Sequence, residues 1–229
     1  VSLEAFTGKY IEAFKADLAR LGVAPADDYP STSAEIPAMV EITEKLVTAG
    51  AAYEKLRSVY FDISSQPDYG AFSHVDADKI RLGSTVDLDE YEKDNPRDFT
   101  LLKRAKMSEL KKGQYVKTRW GNVRPSLHLQ CAAISRKYLG EQFDIHTGSS
   151  NLIFPHHENE IAIARADTGK SPARYWIHCE TVLAEDADAH WKTARMTMED
   201  AENIGVTGRE LRYWLIASHY RKPVSFSEE

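Results

Sequence analysis

The segment Phe143–Ala166, FDIHTGSSNLIFPHHENEIAIARA, carries most of the information about this chain. Its start, Phe143–His146, has the pattern of a short buried strand, and a loop of small residues follows. Pro155 stands where the first turn of a helix tolerates proline, and we predict a helix from there to about Asp167. Histidine and glutamate crowd the start of that helix, so we expect a functional site here.

The composition is that of an ordinary globular protein, with 229 residues, 42% hydrophobic and 28% charged. No run approaches the 18 apolar residues of a membrane-spanning helix, so we expect no membrane partner. The N-terminal stretch lacks the apolar core of a secretory signal. A net charge of −6 excludes a global basic field for nucleic acid. Two cysteines do not make a disulfide framework, and a cytoplasmic location is expected.

Strand and helix patterns alternate in the second half of the chain, which predicts an α/β fold with a parallel sheet covered by helices. Two amphipathic helices precede it, and their short connection predicts an antiparallel pair. A charged, irregular insertion, 73–112, is expected to contain a small helix near Ala77–Leu82. The remaining predicted elements are strands at Val59–Ile63, Phe99–Lys103 and Tyr175–His178, a helix over Leu127–Tyr138 ending at Gly140, and a Thr207–Glu210 capping box before a last helix.

His156 and Glu160 are four residues apart on a predicted helix and therefore project from one face. Imidazole and carboxylate are both zinc ligands. Cys131, on the preceding predicted helix, could supply a thiolate as the third ligand. The alternative is structural: a buried thiol and a hydrogen-bonded histidine near a surface glutamate. Spacing alone leaves both interpretations open.

Two other features near this segment have simpler interpretations. His157-Glu158 begins like the zinc-protease motif H-E-x-x-H, but position 161 is isoleucine, which argues against a metallopeptidase. Cys179, near the end of a predicted strand, is expected to be a small core residue.

FDIH-x-G followed by LIFPHHENEIA closely resembles the catalytic domain of cysteinyl-tRNA synthetase, a class I aminoacyl-tRNA synthetase. The similarity extends over essentially the whole chain, and the N-terminal helices resemble the connecting region of that family. The other segments that carry it, in the expected order, are Lys93–Lys103 (KDNPRDFTLLK), Trp120–Cys131 (WGNVRPSLHLQC), Arg136–Gly140 (RKYLG), Arg174–His178 (RYWIH) and Ser218–Pro223 (SHYRKP).

The resemblance implies a partial Rossmann-type catalytic core with a helical and irregular connective insertion. It divides the chain into a helical pair from the connecting region at 1–57, a connective insertion at 58–115 and the second half of the core at 116–229. The activity it implies is ATP-dependent activation of cysteine and its ligation to tRNA.

The resemblance also assigns roles to individual residues. It implies one zinc ion, held by Cys131, His156 and Glu160, that recognises the substrate thiolate and excludes serine, whose hydroxyl is a poorer ligand. Residues of the cysteine pocket are implied to be Leu127, His128 and His157. Residues implied to face ATP or the adenylate are His146, Gly148 and Asn151, with Lys192 as a weak remnant of the KMSKS lysine.

Departures from the family pattern shape what we expect of the chain alone. The strand with Cys-x-Pro-Thr and a fourth zinc ligand, the HIGH motif and the anticodon-binding region are not in this sequence, and residues 184–196, AEDADAHWKTARM, replace an intact KMSKS loop. Thr147, Ser149 and Asn151 replace the glycines and aspartate of the adenosine loop, which narrows it. Leu127 and Gln130 replace a tryptophan and a glutamate.

We therefore expect no cysteine-dependent pyrophosphate exchange from the chain alone. The alternative function is a non-catalytic module that binds zinc and cysteine or docks on a partner. An unpaired sheet edge also predicts a partner chain that covers it.

Overall fold

The computed structural model describes residues 3–76, 93–184 and 197–226. Helices and sheets together confirm the predicted α/β class. The chain forms two compact units: Pro30–Ile177, and the described parts of Val1–Tyr29 and His178–Glu229. The predicted three-part division and the pairing of the first two helices stay predictions. Lys192 and the helix expected near Ala77–Leu82 lie outside the described residues.

A five-stranded sheet is the centre of the unit Pro30–Ile177. Its order is β1-β2-β3-β5-β4, and each neighbouring pair is antiparallel. The expected parallel arrangement does not extend to this sheet. Two of its pairs, β1–β2 and β4–β5, are joined by tight hairpins, and such strands can pair only antiparallel. Phe61 stacks on Phe99 across β2 and β3, with ring centroids 4.7 Å apart. The strands are β1 (Ala52–Lys55), β2 (Ser58–Phe61), β3 (Phe99–Arg104), β4 (Val116–Thr118) and β5 (Gly121–Pro125).

Helices α2 (Ile36–Thr48), α4 (Leu127–Leu139) and α5 (Glu158–Thr168) contribute to the same core, while α3 (Met107–Lys111) is a short helix between β3 and β4. The buried side chains of the three core helices include Met39, Leu46, Leu129 and Ile163. At the start of α4 the Ser126 hydroxyl accepts a hydrogen bond from the Leu129 N–H, and Gly140 ends the helix as predicted.

Strands β6 (Phe143–Ser149) and β7 (Ala173–Cys179) pair in a separate two-stranded sheet, with α5 between them in sequence. Both predicted strands are therefore confirmed, and β6 extends three residues beyond its expected end at His146. The expectation for Cys179 is wrong: it is exposed, because it lies at the last position of its strand.

The other unit contains α1 (Leu3–Arg20), β8 (Val182–Ala184), α6 (Met198–Asn203), α7 (Gly208–Ala217) and β9 (Val224–Phe226). Strands β8 and β9 are parallel. Met198, Ala201 and Leu211 form a small core. The predicted capping box is confirmed, because Thr207 and Glu210 exchange side chain to backbone hydrogen bonds. Among the described residues, no helix is long and apolar enough to cross a membrane.

Candidate metal site

Cys131, His156 and Glu160 come together beside the packed helices α4 and α5. Their ligand atoms, one sulfur, one nitrogen and one oxygen, all lie within 4.8 Å of one another. Cys131 comes from the middle of α4, His156 from the turn Ile153–His157 that leads into α5, and Glu160 from the first turn of α5. The sequence spacing of His156 and Glu160 predicted a shared face, and their side chains meet at 2.8 Å between Nε2 and Oε1.

The two carboxylate oxygens of Glu160 have different surroundings. Oε2 accepts a hydrogen bond of 3.1 Å from His146 Nε2. Oε1 is close to His156, yet within the described part of the chain no group hydrogen-bonds to it. A buried oxygen without a hydrogen bond is costly, and this position fits a cation shared with the neighbouring imidazole.

Burial defines the electrostatics of Glu160. The residue is 2% exposed, so the surface glutamate of the structural alternative is not what the structure contains. Burial raises the pKa of the Glu160 carboxyl group, and the nearby His156 opposes that rise. A positive charge at Oε1 would compensate for the loss of hydration.

The Cys131 thiol is the third candidate ligand. Burial, and then the negative charge of Glu160, raise the pKa of this thiol to about 12. At neutral pH the thiol keeps its proton unless a metal ion replaces that proton. The donor set is a thiolate, an imidazole and a carboxylate, and these are zinc ligands. The residues therefore fit a zinc ion.

Aromatic rings form one wall of the site. Trp176 of β7 contacts His146 and His157 with ring centroids 4.4 and 5.0 Å apart. The buried His157 also requires a glycine at position 148, because a Cβ there would lie 2.6 Å from His157 Cε1. His146, His157 and Glu160 make a second group whose ligand atoms lie within 4.8 Å of one another.

The remaining predicted site residues are distributed around this centre. His128 donates from Nε2 to the carbonyl oxygen of Thr100 at 2.9 Å, and its ring centroid is 6.2 Å from that of His156. Leu127 is 58% exposed at the start of α4. Asn151 is exposed in the turn after β6. The roles expected for these residues in binding cysteine and ATP stay predictions.

Three residues near the site were not singled out by their sequence pattern: Trp176, Glu158 and Asn159. Glu158 and Asn159 are 2% and 1% exposed. Polar residues at the start of a helix usually lie on the surface of the protein. The sequence therefore gave no indication that these two residues are buried. Trp176 stands inside the predicted strand Tyr175–His178, and a large aromatic residue there was the one available hint.

Comparisons with known proteins show the family of this chain. The model of the family described as "tRNA synthetases class I (C) catalytic domain" matches residues 1–229, so the chain belongs to this family of class I synthetases. Within that class, the relatives that the chain matches carry the name of one amino acid, cysteine. The chain is 41% identical over 229 residues to "Cysteine--tRNA ligase" of Methanosarcina mazei, covering 100% of this chain and 48% of that protein. It is 41% identical over 231 residues to the Chlamydia pneumoniae protein of the same name, again covering 100% and 48%.

A solved structure shows the same fold at low sequence identity. A Campylobacter jejuni protein assigned as an arginyl-tRNA synthetase matches with a TM-score of 0.56 and 12% identity, over 96% of this chain and 39% of that one. This fold fits the predicted Rossmann-like core. The chain spans about half the length of the curated relatives it matches.

Proposed function

We propose that this chain carries the cysteine-recognition site of a cysteine–tRNA ligase, with one zinc ion held by Cys131, His156 and Glu160. The observation that carries the proposal is the buried Oε1 of Glu160, which has no hydrogen bond within the described residues although His156 Nε2 lies 2.8 Å away. A thiol with a raised pKa completes the donor set.

Zinc bound at this position supplies a Lewis acid that prefers a thiolate to a hydroxyl, which selects cysteine over serine. The protein side chains prepare the site. His146 holds Glu160 through Oε2, so that Oε1 points to the metal ligands. His157 and Trp176 limit the access of water, since His157 is 2% exposed and the two rings are in contact.

We also propose the complete reaction of the family, although we expect no pyrophosphate exchange from this chain alone. Cysteine reacts with ATP to give cysteinyl adenylate and pyrophosphate, and the cysteinyl group is then transferred to a hydroxyl of tRNA with release of AMP, in the cytoplasm. Such chemistry depends on positioning and on stabilisation of phosphate charge. His146, Gly148 and Asn151 are proposed to face the nucleotide, and Lys192 to be the one remaining KMSKS-type lysine.

Metal content and ligand binding test the proposal. The purified chain is expected to contain one zinc ion, and Cys131→Ala to lose it. Cys179→Ala is the matched control, because that thiol is exposed and outside the cluster. Calorimetry is expected to detect cysteine binding to the zinc-loaded chain, and no binding of serine or binding to the chelated chain. A metal-free wild type, or zinc retained by Cys131→Ala, would contradict the proposal.

A measurement of cysteine-dependent pyrophosphate exchange separates the enzyme from the alternative. Exchange by the purified chain, lost in Cys131→Ala, would support a catalytic role. Zinc and cysteine binding without exchange would support the non-catalytic zinc and cysteine module.

A further inference from the structure

We propose that Tyr69–Ser73, named here the brace, positions the wall of the metal site, and that Glu158 and Asn159 are the positioning residues that hold it. This inference rests on the proposed metal site. It adds residues beyond the three proposed ligands, Cys131, His156 and Glu160. The brace lies between β2 and β3 in sequence, far from the ligands along the chain.

The start of α5 fixes the brace through three hydrogen bonds. Glu158 Oε1 accepts from the Gly70 N–H at 2.9 Å, and Oε2 accepts from the Ser73 N–H at 2.8 Å. Asn159 Oδ1 accepts from the Tyr69 hydroxyl at 2.5 Å. Burial raises the pKa of Tyr69, so this hydroxyl remains a donor. Both oxygens of one carboxylate are therefore used to fix a backbone segment.

Because these groups are buried, each of them needs a hydrogen-bond partner within the protein. Glu158 and Asn159 are almost fully buried, and so is Gly70. Gly70 has a φ of +94°, a conformation that favours glycine because it lacks a Cβ. A buried carboxylate persists where its oxygens are hydrogen-bonded, and here the partners are backbone N–H groups of the brace.

The brace contacts the wall of the site through Phe72, and its other aromatic side chain, Tyr69, contacts Phe99 of the core. Phe72 packs on Trp176 with ring centroids 5.0 Å apart, and Trp176 is the ring that contacts both His146 and His157. On the other side, Tyr69 stacks on Phe99 at 6.2 Å, and Phe99 meets the edge of His128 at 5.0 Å.

Glu158 and Asn159 lie between the two proposed ligands His156 and Glu160 in sequence, within one helical turn. That turn therefore carries two proposed ligands together with the two residues that anchor the brace. When the anchor is intact, Phe72 holds Trp176 against His146, and His146 in turn hydrogen-bonds Glu160. Residues that orient ligands in this way typically change metal affinity 10–100-fold when they are replaced.

The primary test is the zinc affinity of Glu158→Gln, measured by competition with a chelator. In this variant an amide NH2 group replaces one carboxylate oxygen and faces a backbone N–H, which it cannot accept. One of the two Glu158 hydrogen bonds to the brace is therefore lost, while the size of the side chain is kept. We expect zinc to bind about 10-fold more weakly. Arg165→Ala is the matched control, because it removes an exposed ion pair between the same helix and Asp68, and its zinc affinity is expected to change less than twofold.

A second variant separates positioning from a general loss of structure. Phe72→Ala leaves the Glu158 anchors in place and removes the ring that contacts Trp176. We expect it to weaken zinc binding in the same direction, and Phe72→Tyr to restore it. Weaker folding of Glu158→Gln with unchanged zinc affinity would overturn the inference, as would wild-type affinity in Phe72→Ala.

A readout without metal keeps the inference distinct from the proposed function. In the metal-free protein, carbethoxylation of the 2% exposed His157, followed by mass spectrometry, reports whether the wall has loosened. We expect faster modification in Glu158→Gln and Phe72→Ala and the wild-type rate in Arg165→Ala. A wild type that binds no zinc refutes the metal site alone, whereas unchanged modification rates in both brace variants refute the brace.

Discussion

Glu158 and Glu160 are two buried carboxylates on the same turn of α5, and they use their oxygens differently. Glu158 accepts hydrogen bonds from two backbone N–H groups, one at each oxygen. Glu160 accepts one from His146 and, within the described residues, none at Oε1. Burial alone therefore does not distinguish an architectural carboxylate from a ligand. Within the described residues, the proposed ligand Glu160 differs in that its Oε1 lies 2.8 Å from His156 Nε2 and accepts no hydrogen bond.

Replacing each glutamate by an uncharged group should separate the two roles most clearly in zinc affinity. Glu160→Gln is expected to weaken zinc binding by more than about 100-fold, because it removes a direct ligand and outer partners alone cost 10–100-fold. Its free energy of unfolding without metal should change little, since an amide costs less to bury than a carboxylate. Chelator competition and urea denaturation measure the two quantities. Zinc binding equal to that of the wild type would remove Glu160 from the ligand set.

Glu158→Ala should lower the free energy of unfolding more than it lowers the zinc affinity. Two backbone N–H groups, of Gly70 and Ser73, lose an acceptor, and an unpaired buried donor costs about 1–3 kcal/mol. We expect the free energy of unfolding of the metal-free protein to fall by about 3 kcal/mol in urea. Asp68→Ala, which breaks the exposed pair with Arg165, should cost less than about 1 kcal/mol. Equal losses in the two variants would show that Glu158 is not an anchor.

Gly148→Ala tests how tightly His157 is packed in the wall of the site. The added Cβ would lie 2.6 Å from the ring of His157, and such overpacking typically costs about 1–3 kcal/mol. Thermal unfolding measures this loss. Gly8→Ala is the control, because nothing lies within 4 Å of its added Cβ. A Gly148→Ala protein as stable as the wild type would mean that the His157 ring moves aside freely.

The smallest expected change is that of the zinc affinity with each pH unit. The pKa of the Cys131 thiol is raised to about 12, so at neutral pH zinc must displace a proton from it. Zinc affinity should therefore rise about tenfold per pH unit from this group alone between about pH 7 and 8. In Cys131→Ala the slope should fall by about one proton. An unchanged slope would exclude this thiol from the site.

Much of the fold could be predicted where apolar residues follow a clear period. Helices α2 and α4 and strand β3 lie where the sequence indicates, because each has an apolar face that the core buries. Strands β1 and β5 were missed, since Ala52–Lys55 and Gly121–Pro125 are short and contain charged residues. These strands are stabilised by pairing with β2 and β3, which no local pattern reveals.

The grouping of the candidate ligands could be predicted from the sequence, whereas the residues that support them could not. Four-residue spacing placed His156 and Glu160 on one face, and the preceding helix offered Cys131 as a third ligand, which the family resemblance also implied. Nothing in the sequence distinguished Glu158 from a solvated helix residue, because its partners are backbone groups of the distant residues Gly70 and Ser73. Side chains that bind backbone have no complementary residue type to recognise.

The anchoring of the brace also has a consequence for folding. Its three hydrogen bonds join residues 88, 85 and 90 positions apart, so a long loop must close before any of them forms. Contacts of such long range are typically slow to form. Because the wall rings depend on them, zinc capture should report the last steps of folding of this unit.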